Sequence, residues 1–387
     1  MRDRVYLDWN ATTPLRPEAR AAMTAAFDVS GNPSSVHSEG RAARKLIEDA
    51  RGAVAAAVGA DLRNVVFTSG GTEANMLALT PGLRRGGRGP VQRLIVSAIE
   101  HPSVLAGGRF APNAIGSAPV LPSGVIDLES LAALLANGPP ALVSVMLANN
   151  ETGAIQPVPQ VAALVHEAGG ILHVDAVQAF LKIPINIKAL GVDILTVSAH
   201  KIGGPKGVGA VVVADRLEGW NALVRGGGQE QGRRAGTENV AGIAGFGAAV
   251  RAAAGSMDVD AARVKALQVR LEDGLRDNRS TVIFSDNAPR LPNTTLVSAP
   301  GLKAETAVIG FDLEGIAVSS GSACSSGKVQ PSHVLQAMKV DPALLRGAIR
   351  LSLGWDSTEA DIDRCLEAWR KLSGVLGKAH EIGLERF

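Results

Sequence analysis

Val192-Asp193-Ile194-Leu195-Thr196-Val197-Ser198-Ala199-His200-Lys201 runs from an apolar strand straight into a lysine, and the turn Gly203-Gly204-Pro205 follows. Its apolar residues are nearly continuous, as expected of a strand covered on both faces. A lysine after a strand is ordinarily a solvated surface residue. At the carboxyl end of a parallel strand, however, polar residues line the site of an open α/β sheet. Desolvated there, the Lys201 amine would have a lowered pKa and be free to form a Schiff base with a carbonyl.

Further strand candidates flank this one: Val65 to Thr68, Leu94 to Ser97, Leu142 to Met146, Ile171 to Val174 and Gly209 to Val213. Helical patterns lie between them, notably Ser38 to Val58 and Val158 to Ala168. Alternating β and α segments predict an α/β fold with a mostly parallel sheet and helices on both faces. After about Ala254 the texture changes to a helix over Asp258 to Leu275, short strands at Thr294 to Val297 and Ile349 to Ser352, and a last helix from Ser357 to Leu376. The expected organisation is a large domain over 14–255 and a smaller α+β domain over 256–387, joined by 1–13.

The 387 residues carry a formal net charge of +2, and their most basic stretch, Arg84-Arg85-Gly86-Gly87-Arg88, reads as a solvated loop, so nothing calls for nucleic acid. No apolar run is expected to reach the roughly 18 residues of a membrane span, and the N-terminus does not read as a secretory signal. Two cysteines, Cys324 and Cys365, stand at no metal-ligand spacing, which points to a reducing cytoplasm and leaves each thiol to be explained singly. Cys365, between Arg364 and Leu366 on a helix, reads as a buried inert thiol.

Four more constellations carry chemistry. Phe67-Thr68-Ser69-Gly70-Gly71-Thr72-Glu73-Ala74-Asn75 leads a strand into a small-residue loop and a helix start. That loop is either an anion site or a plain helix-start turn. In His173-Val174-Asp175-Ala176-Val177-Gln178, Asp175 is an N-cap, a metal ligand with His173, or a carboxylate paired with a protonated pyridine nitrogen. His101, in Glu100-His101-Pro102-Ser103, is either structural or a ring that stacks on a cofactor and moves protons. Asn149-Asn150-Glu151-Thr152-Gly153 likewise follows a strand. Ser319-Ser320-Gly321-Ser322-Ala323-Cys324-Ser325-Ser326-Gly327 presents a cysteine among small polar residues, where a thiol acts as a nucleophile if its pKa is lowered.

Together with Tyr6-Leu7-Asp8-x-x-Ala11-Thr12-Thr13-Pro14, Gly31-Asn32-Pro33-Ser34-Ser35, Gly236-Thr237-Glu238-Asn239 and Ile349-Arg350-Leu351-Ser352-Leu353-Gly354, these elements resemble the cysteine desulfurases. That family belongs to the class V aminotransferase group of fold-type I pyridoxal-phosphate enzymes, and the resemblance covers nearly the whole chain. It implies a seven-stranded, mostly parallel sheet in the large domain and pyridoxal 5'-phosphate as cofactor. It makes Lys201 the Schiff-base lysine, Asp175 the partner of the pyridine nitrogen, Gln178 the partner of the ring hydroxyl and His101 the stacking ring and proton carrier. Gly71, Thr72, Ser198 and His200 would hold the phosphate, with Thr237 reaching across from a second subunit of a homodimer. Asn150 would lie beside the cofactor, and Arg350 with Asn32 would grip the carboxylate of L-cysteine.

The implied reaction removes sulfur from L-cysteine, leaving alanine and a persulfide on Cys324 that passes to an acceptor or iron–sulfur scaffold protein. No standing metal site is expected, Cys324 alone being a candidate cluster ligand during transfer. Trp9 departs from the His or Asn common at that position. The chain also ends soon after its last helix, where scaffold-serving members carry a longer tail, so a nitrogenase-type or other specialised role is equally open.

Overall fold

The computed structural model describes residues 4–214, 217–320 and 331–384, with side chains described as far as Ser373. The strands read from the sequence form one seven-stranded sheet. In chain order it comprises β2 (Val65–Thr68), β4 (Arg93–Ser97), β5 (Ile115–Ala118), β6 (Ala141–Met146), β7 (Ile171–Asp175), β8 (Ile194–Ser198) and β9 (Gly209–Val213). The order across the sheet is β2-β9-β8-β7-β6-β4-β5. The pairs from β5 to β8 are parallel, while β9 runs antiparallel to both of its neighbours. Every residue of β2, β6, β7, β8 and β9 is buried, which accounts for their unbroken apolar runs. The strand missing from the residue-level reading is β5. Its sequence Ile-Gly-Ser-Ala lies at the sheet edge and is only partly buried, so it carries little apolar signal.

Helices α1 (Pro17–Phe27) and α2 (Ser38–Val58) cover one face together with α7 (Val240–Arg276), and α3 (Gly71–Ala78), α4 (Pro102–Leu105), α5 (Leu128–Ala136) and α6 (Val158–Glu167) complete the layers. The 37-residue α7 is longer than expected and continues unbroken through the anticipated domain boundary near residue 255. By length and composition alone it is apolar enough to cross a membrane, contrary to the expectation that no segment would be. Here 56% of that apolar stretch is buried against protein. Gly247, for example, has no room for a side chain, because a Cβ there would lie 2.6 Å from Ala50.

A second hydrophobic core forms around a four-stranded antiparallel sheet, ordered β11 (Val282–Ile283), β12 (Thr294–Ser298), β15 (Ile349–Ser352), β14 (Ser319–Ser320). The chain start joins this core: β1 (Val5–Tyr6) pairs in parallel with β13 (Ile316–Ala317), and Val5 and Leu7 are buried among residues of α7, α8 (Ala304–Leu313) and α11 (Glu359–Leu384). The remaining pieces are short: a ribbon of β3 (Arg84–Arg85) and β10 (Leu217–Glu218), and helices α9 (His333–Ala337) and α10 (Pro342–Leu345). The segment from Asp8 to Thr13 thus passes between the two cores, over the carboxyl ends of β7 and β8.

Candidate active site

A cleft of about 200 Å³ opens at those strand ends. Gly71 and Thr72 enter it from the start of α3, His101 from the end of β4, Asn150 from the turn after β6, Asp175 and Gln178 from β7, and Ser198, His200 and Lys201 from β8. Nine of the anticipated positions therefore converge from five separate elements.

Lys201 ends the 3₁₀ turn that follows β8, and its Nζ donates to the carbonyls of Asn10 at 2.5 Å and Ala11 at 2.8 Å. Burial, helped by the charge of Arg350 and opposed by Asp8 and Asp175, lowers its pKa to about 8. The amine is therefore far easier to deprotonate near neutral pH than an ordinary lysine.

Asp175 is buried, with Oδ1 accepting from the Val177 N–H at 2.9 Å and Oδ2 accepting from Asn75 Nδ2 at 2.8 Å. Asp175 is therefore not a helix N-cap, since no helix follows β7; its Oδ1 closes a turn instead, while the residue faces the cleft. His173 does not join it as a ligand. Its ring contacts Ser144 and Thr196, burial lowers its pKa to about 3, and no metal-type cluster occurs among the described residues.

His101 caps α4, its Nδ1 accepting from the Ser103 N–H at 3.1 Å, with the Ser103 hydroxyl at 2.8 Å. Because Nδ1 is an acceptor, the proton of the neutral ring sits on Nε2. Burial lowers the His101 pKa, as do Lys201 and His333, against the pull of Asp175, so the neutral form is favoured. His200 contacts Thr12 Oγ1 through Nδ1 at 3.1 Å, and burial with the nearby Lys201 and Lys206 lowers its pKa to about 4.

The fit to pyridoxal 5'-phosphate rests on features at the α3 end. Ser198 Oγ is buried without a hydrogen-bond partner among the described residues, a costly arrangement unless a ligand supplies one. Gly71 leaves open a space that a Cβ would share with Val177 at 3.0 Å and Ser198 at 3.6 Å. The N–H groups at the start of α3 favour an anion in that space. Backbone and hydroxyl donors, a carboxylate and a lysine lining one cleft match the chemistry of a ring bearing a phosphate, a basic nitrogen and an aldehyde.

Arg350, on β15, is buried beside the cleft. Its Nη2 pairs with Asp8 at 2.7 Å, its Nη1 donates to the Asn150 carbonyl at 3.0 Å, and its Nε has no partner among the described residues. Asn32 is not brought to it: that side chain is exposed and caps its own turn through the Ser34 N–H. Thr237 is likewise absent from the Lys201 cleft of its own chain and lines a separate cavity with Ser69 and Gly236. Cys324 lies outside the described residues, whereas Cys365 is fully buried and burial raises its pKa to about 12.

Trp9, the odd residue of its motif, is buried edge-to-face on Trp355 at 4.7 Å and donates from Nε1 to the Tyr6 carbonyl, so it serves as a wedge between the two cores. Four polar residues of the site were not singled out from the sequence: Asp8, Asn10, Asn75 and Lys182. Asn10 is the hub, accepting from Lys201 and Gln178 on its carbonyl and from Lys182 on its side chain. The only signal for Asp8 and Asn10 was their place inside the Tyr6 to Pro14 motif.

The whole chain aligns with known proteins. It matches the family described as Aminotransferase class-V over residues 5–365. A cysteine desulfurase from Cereibacter sphaeroides is 45% identical to it, covering 99% of each chain. The structure of a NifS-like protein from Rickettsia africae is similar to it with a TM-score of 0.88 and 39% identity, over 96% of this chain and 100% of that one. A structure described as SspA in complex with cysteine matches with a TM-score of 0.75 and 29% identity, over 92% of this chain and 100% of that one. This chain belongs to the class V aminotransferase family, in the branch that holds the cysteine desulfurases.

Proposed function

We propose that this protein is a pyridoxal-phosphate-dependent cysteine desulfurase, which converts L-cysteine to L-alanine and leaves the sulfur as a persulfide on Cys324. The observation that carries the reading is the cleft itself: a lysine of depressed pKa facing a buried carboxylate, with an unpartnered serine hydroxyl and a helix start at the far end. When bound, the cofactor would supply an electron sink for the charge left at the substrate α-carbon.

The protein's residues then have distinct tasks. The Lys201 amine would hold the cofactor, and its lowered pKa suits it to carry the proton of the substrate α-carbon. Asp175, braced by Asn75, would pair with the ring nitrogen and favour its protonated form. Gly71, Thr72, Ser198 and His200 would hold the phosphate. His101 would exchange protons with the substrate thiol and with the carbon left behind once the sulfur has gone, and its buried neutral state suits that exchange. Arg350 turns toward the substrate carboxylate, for which its unpartnered Nε is a ready donor. The Cys324 thiolate would attack the substrate sulfur, forming the S–S bond as the Cβ–S bond breaks; the electron pair stays on the carbon, which takes up a proton on the way to alanine.

We further assign the protein to a homodimer in which Thr237 serves the partner's cleft. The exposure of Thr237 supports this, as do the exposed apolar side chains Val36, Leu223 and Val224. The sulfur would pass in the reducing cytoplasm to an acceptor protein for iron–sulfur cluster or other sulfur-containing cofactor synthesis.

The decisive experiment measures alanine and sulfide released from L-cysteine under reductant, for the intact protein and Cys324→Ala. Equal amounts from the intact protein and little from the variant are expected. Undiminished release by the variant would remove Cys324 from the mechanism.

A further inference from the structure

Lys182 is a buried amine for which the reaction above has no use. Its Nζ is enclosed between two side-chain carbonyls, Asn10 Oδ1 at 3.0 Å and Gln178 Oε1 at 3.2 Å, while its stem borders a neighbouring cavity lined by Trp9, Leu353 and Trp355. Among the described residues no carboxylate pairs with it. Leu181, just before it, takes a left-handed backbone with φ of 55°, a costly conformation for a leucine. The chain is bent at that point and Lys182 lies against the back of the cleft.

Hydrogen-bond logic gives this contact a consequence. A lysine ammonium has three donors and no acceptor, so in its charged form Lys182 donates to both carbonyl oxygens. Gln178 must therefore present its oxygen to Lys182 and its NH2 away from it. One N–H of that group goes to the Asn10 carbonyl at 3.0 Å, which leaves the second for the cleft that Gln178 lines. Asn10 cannot flip to release Lys182, because its Nδ2 is committed to Thr294 Oγ1 at 2.9 Å and its Oδ1 also accepts from Asn293.

We infer that Lys182 is a positioning residue, which locks the Gln178 amide so that the cleft offers a hydrogen-bond donor to an anionic ring oxygen of the bound cofactor. The inference rests on the pyridoxal-phosphate reading above. A donor at that oxygen stabilises its deprotonated form and so weakens the hold of the adjacent nitrogen on its proton. The other charged or titratable groups around Lys201 are Asp8, Asp175, Arg350, His101 and His200, and none of them contacts Gln178 Oε1.

The test replaces Lys182 by Met in the cofactor-loaded protein and titrates the visible absorption with pH. The apparent pKa of that absorption should rise by about one unit, a roughly tenfold change in proton affinity, and cofactor release should quicken by a similar factor. The apo variant should unfold at or above the wild-type temperature, since a desolvated amine has been removed. Lys182→Arg, which still only donates, should restore the wild-type titration. If Lys182→Met does not fold, Lys182→Gln carries the same test, because an amide there no longer dictates the Gln178 orientation. Wild-type titration and release in the folded variant would overturn the inference. A wild-type protein without visible absorption would instead overturn the cofactor reading.

Discussion

Two buried arginines, Arg51 and Arg350, stand in opposite regions of this molecule and are treated differently by their surroundings. Arg51, on α2, makes a two-armed pair with Glu230 at 2.7 Å on each arm, donates to the Val65 carbonyl, and has its Nε against Glu48. Glu230 in turn accepts from the Phe67 N–H, so little of either group is left unpaired. Arg350 reaches only one oxygen of Asp8, a backbone carbonyl, and nothing with its Nε. A closed ion pair joins elements, whereas an open one retains capacity for a ligand. The two sites have similar burial, with side-chain exposure of 7% for Arg51 and 5% for Arg350, so burial alone does not distinguish them.

Removing one partner of the closed pair gives the largest expected effect. Glu230→Ala would strand the Arg51 charge and should destabilise the fold by about 3–5 kcal/mol. Glu230 also sits at φ of 48° and Gln231 at 59°, backbone that the pairing helps hold in place. The effect should appear as a lowered melting temperature, with KM for cysteine in the folded fraction nearly unchanged. A rise in KM at constant stability would break the distinction between the two arginines.

The next effect belongs to the open region. Burial raises the Glu151 pKa to about 7, despite a hydrogen bond from Ser332 and the charge of Arg350. The folded protein then binds more protons than the unfolded chain between about pH 4.5 and 7, so Glu151 makes stability fall as pH rises through that window. Glu151→Gln should therefore stabilise the protein at pH 8 by up to about 3 kcal/mol and leave it unchanged near pH 4. Equal melting-temperature shifts at both pH values would show that the carboxyl is not held neutral by burial.

The smallest of the three expected effects is Arg350→Lys. Lysine keeps the charge but not the fork that grips a carboxylate, so KM for cysteine should rise about 10- to 100-fold, with kcat much less affected. Loss of stability without a KM change would make Arg350 a second Arg51.

The sequence was most legible where burial is symmetric. The runs at β2, β6, β7, β8 and β9 are apolar because both faces are covered, and Ser38 to Val58 matches α2 residue for residue. Where burial is partial the signal failed, as for β5. The first half of α7 was also missed. Its Gly- and Ala-rich residues, such as Gly245 and Gly247, are poor helix markers taken singly, and they are present because α1 and α2 pack close.

In the site, Lys201, His101 and Asp175 could be found because each ends or follows a strand, where an open α/β sheet exposes polar groups. Asn75 and Lys182 could not. Their importance comes from contacts across long stretches of chain, Asn75 with Asp175 and Lys182 with Asn10, which no local pattern encodes.

Sequence alone determined six of the seven strands of the large sheet, the lysine at the end of a buried strand and the motifs that identify the family, because these depend on short-range periodicity and on residue types at fixed spacing. Only the tertiary structure decided which carboxylate meets Arg350, that the Asp8 to Thr13 segment roofs the cleft, and which way the Gln178 amide faces. Those outcomes depend on distances between residues far apart in the chain, and on the requirement that each buried donor or acceptor find a partner where the packing allows one.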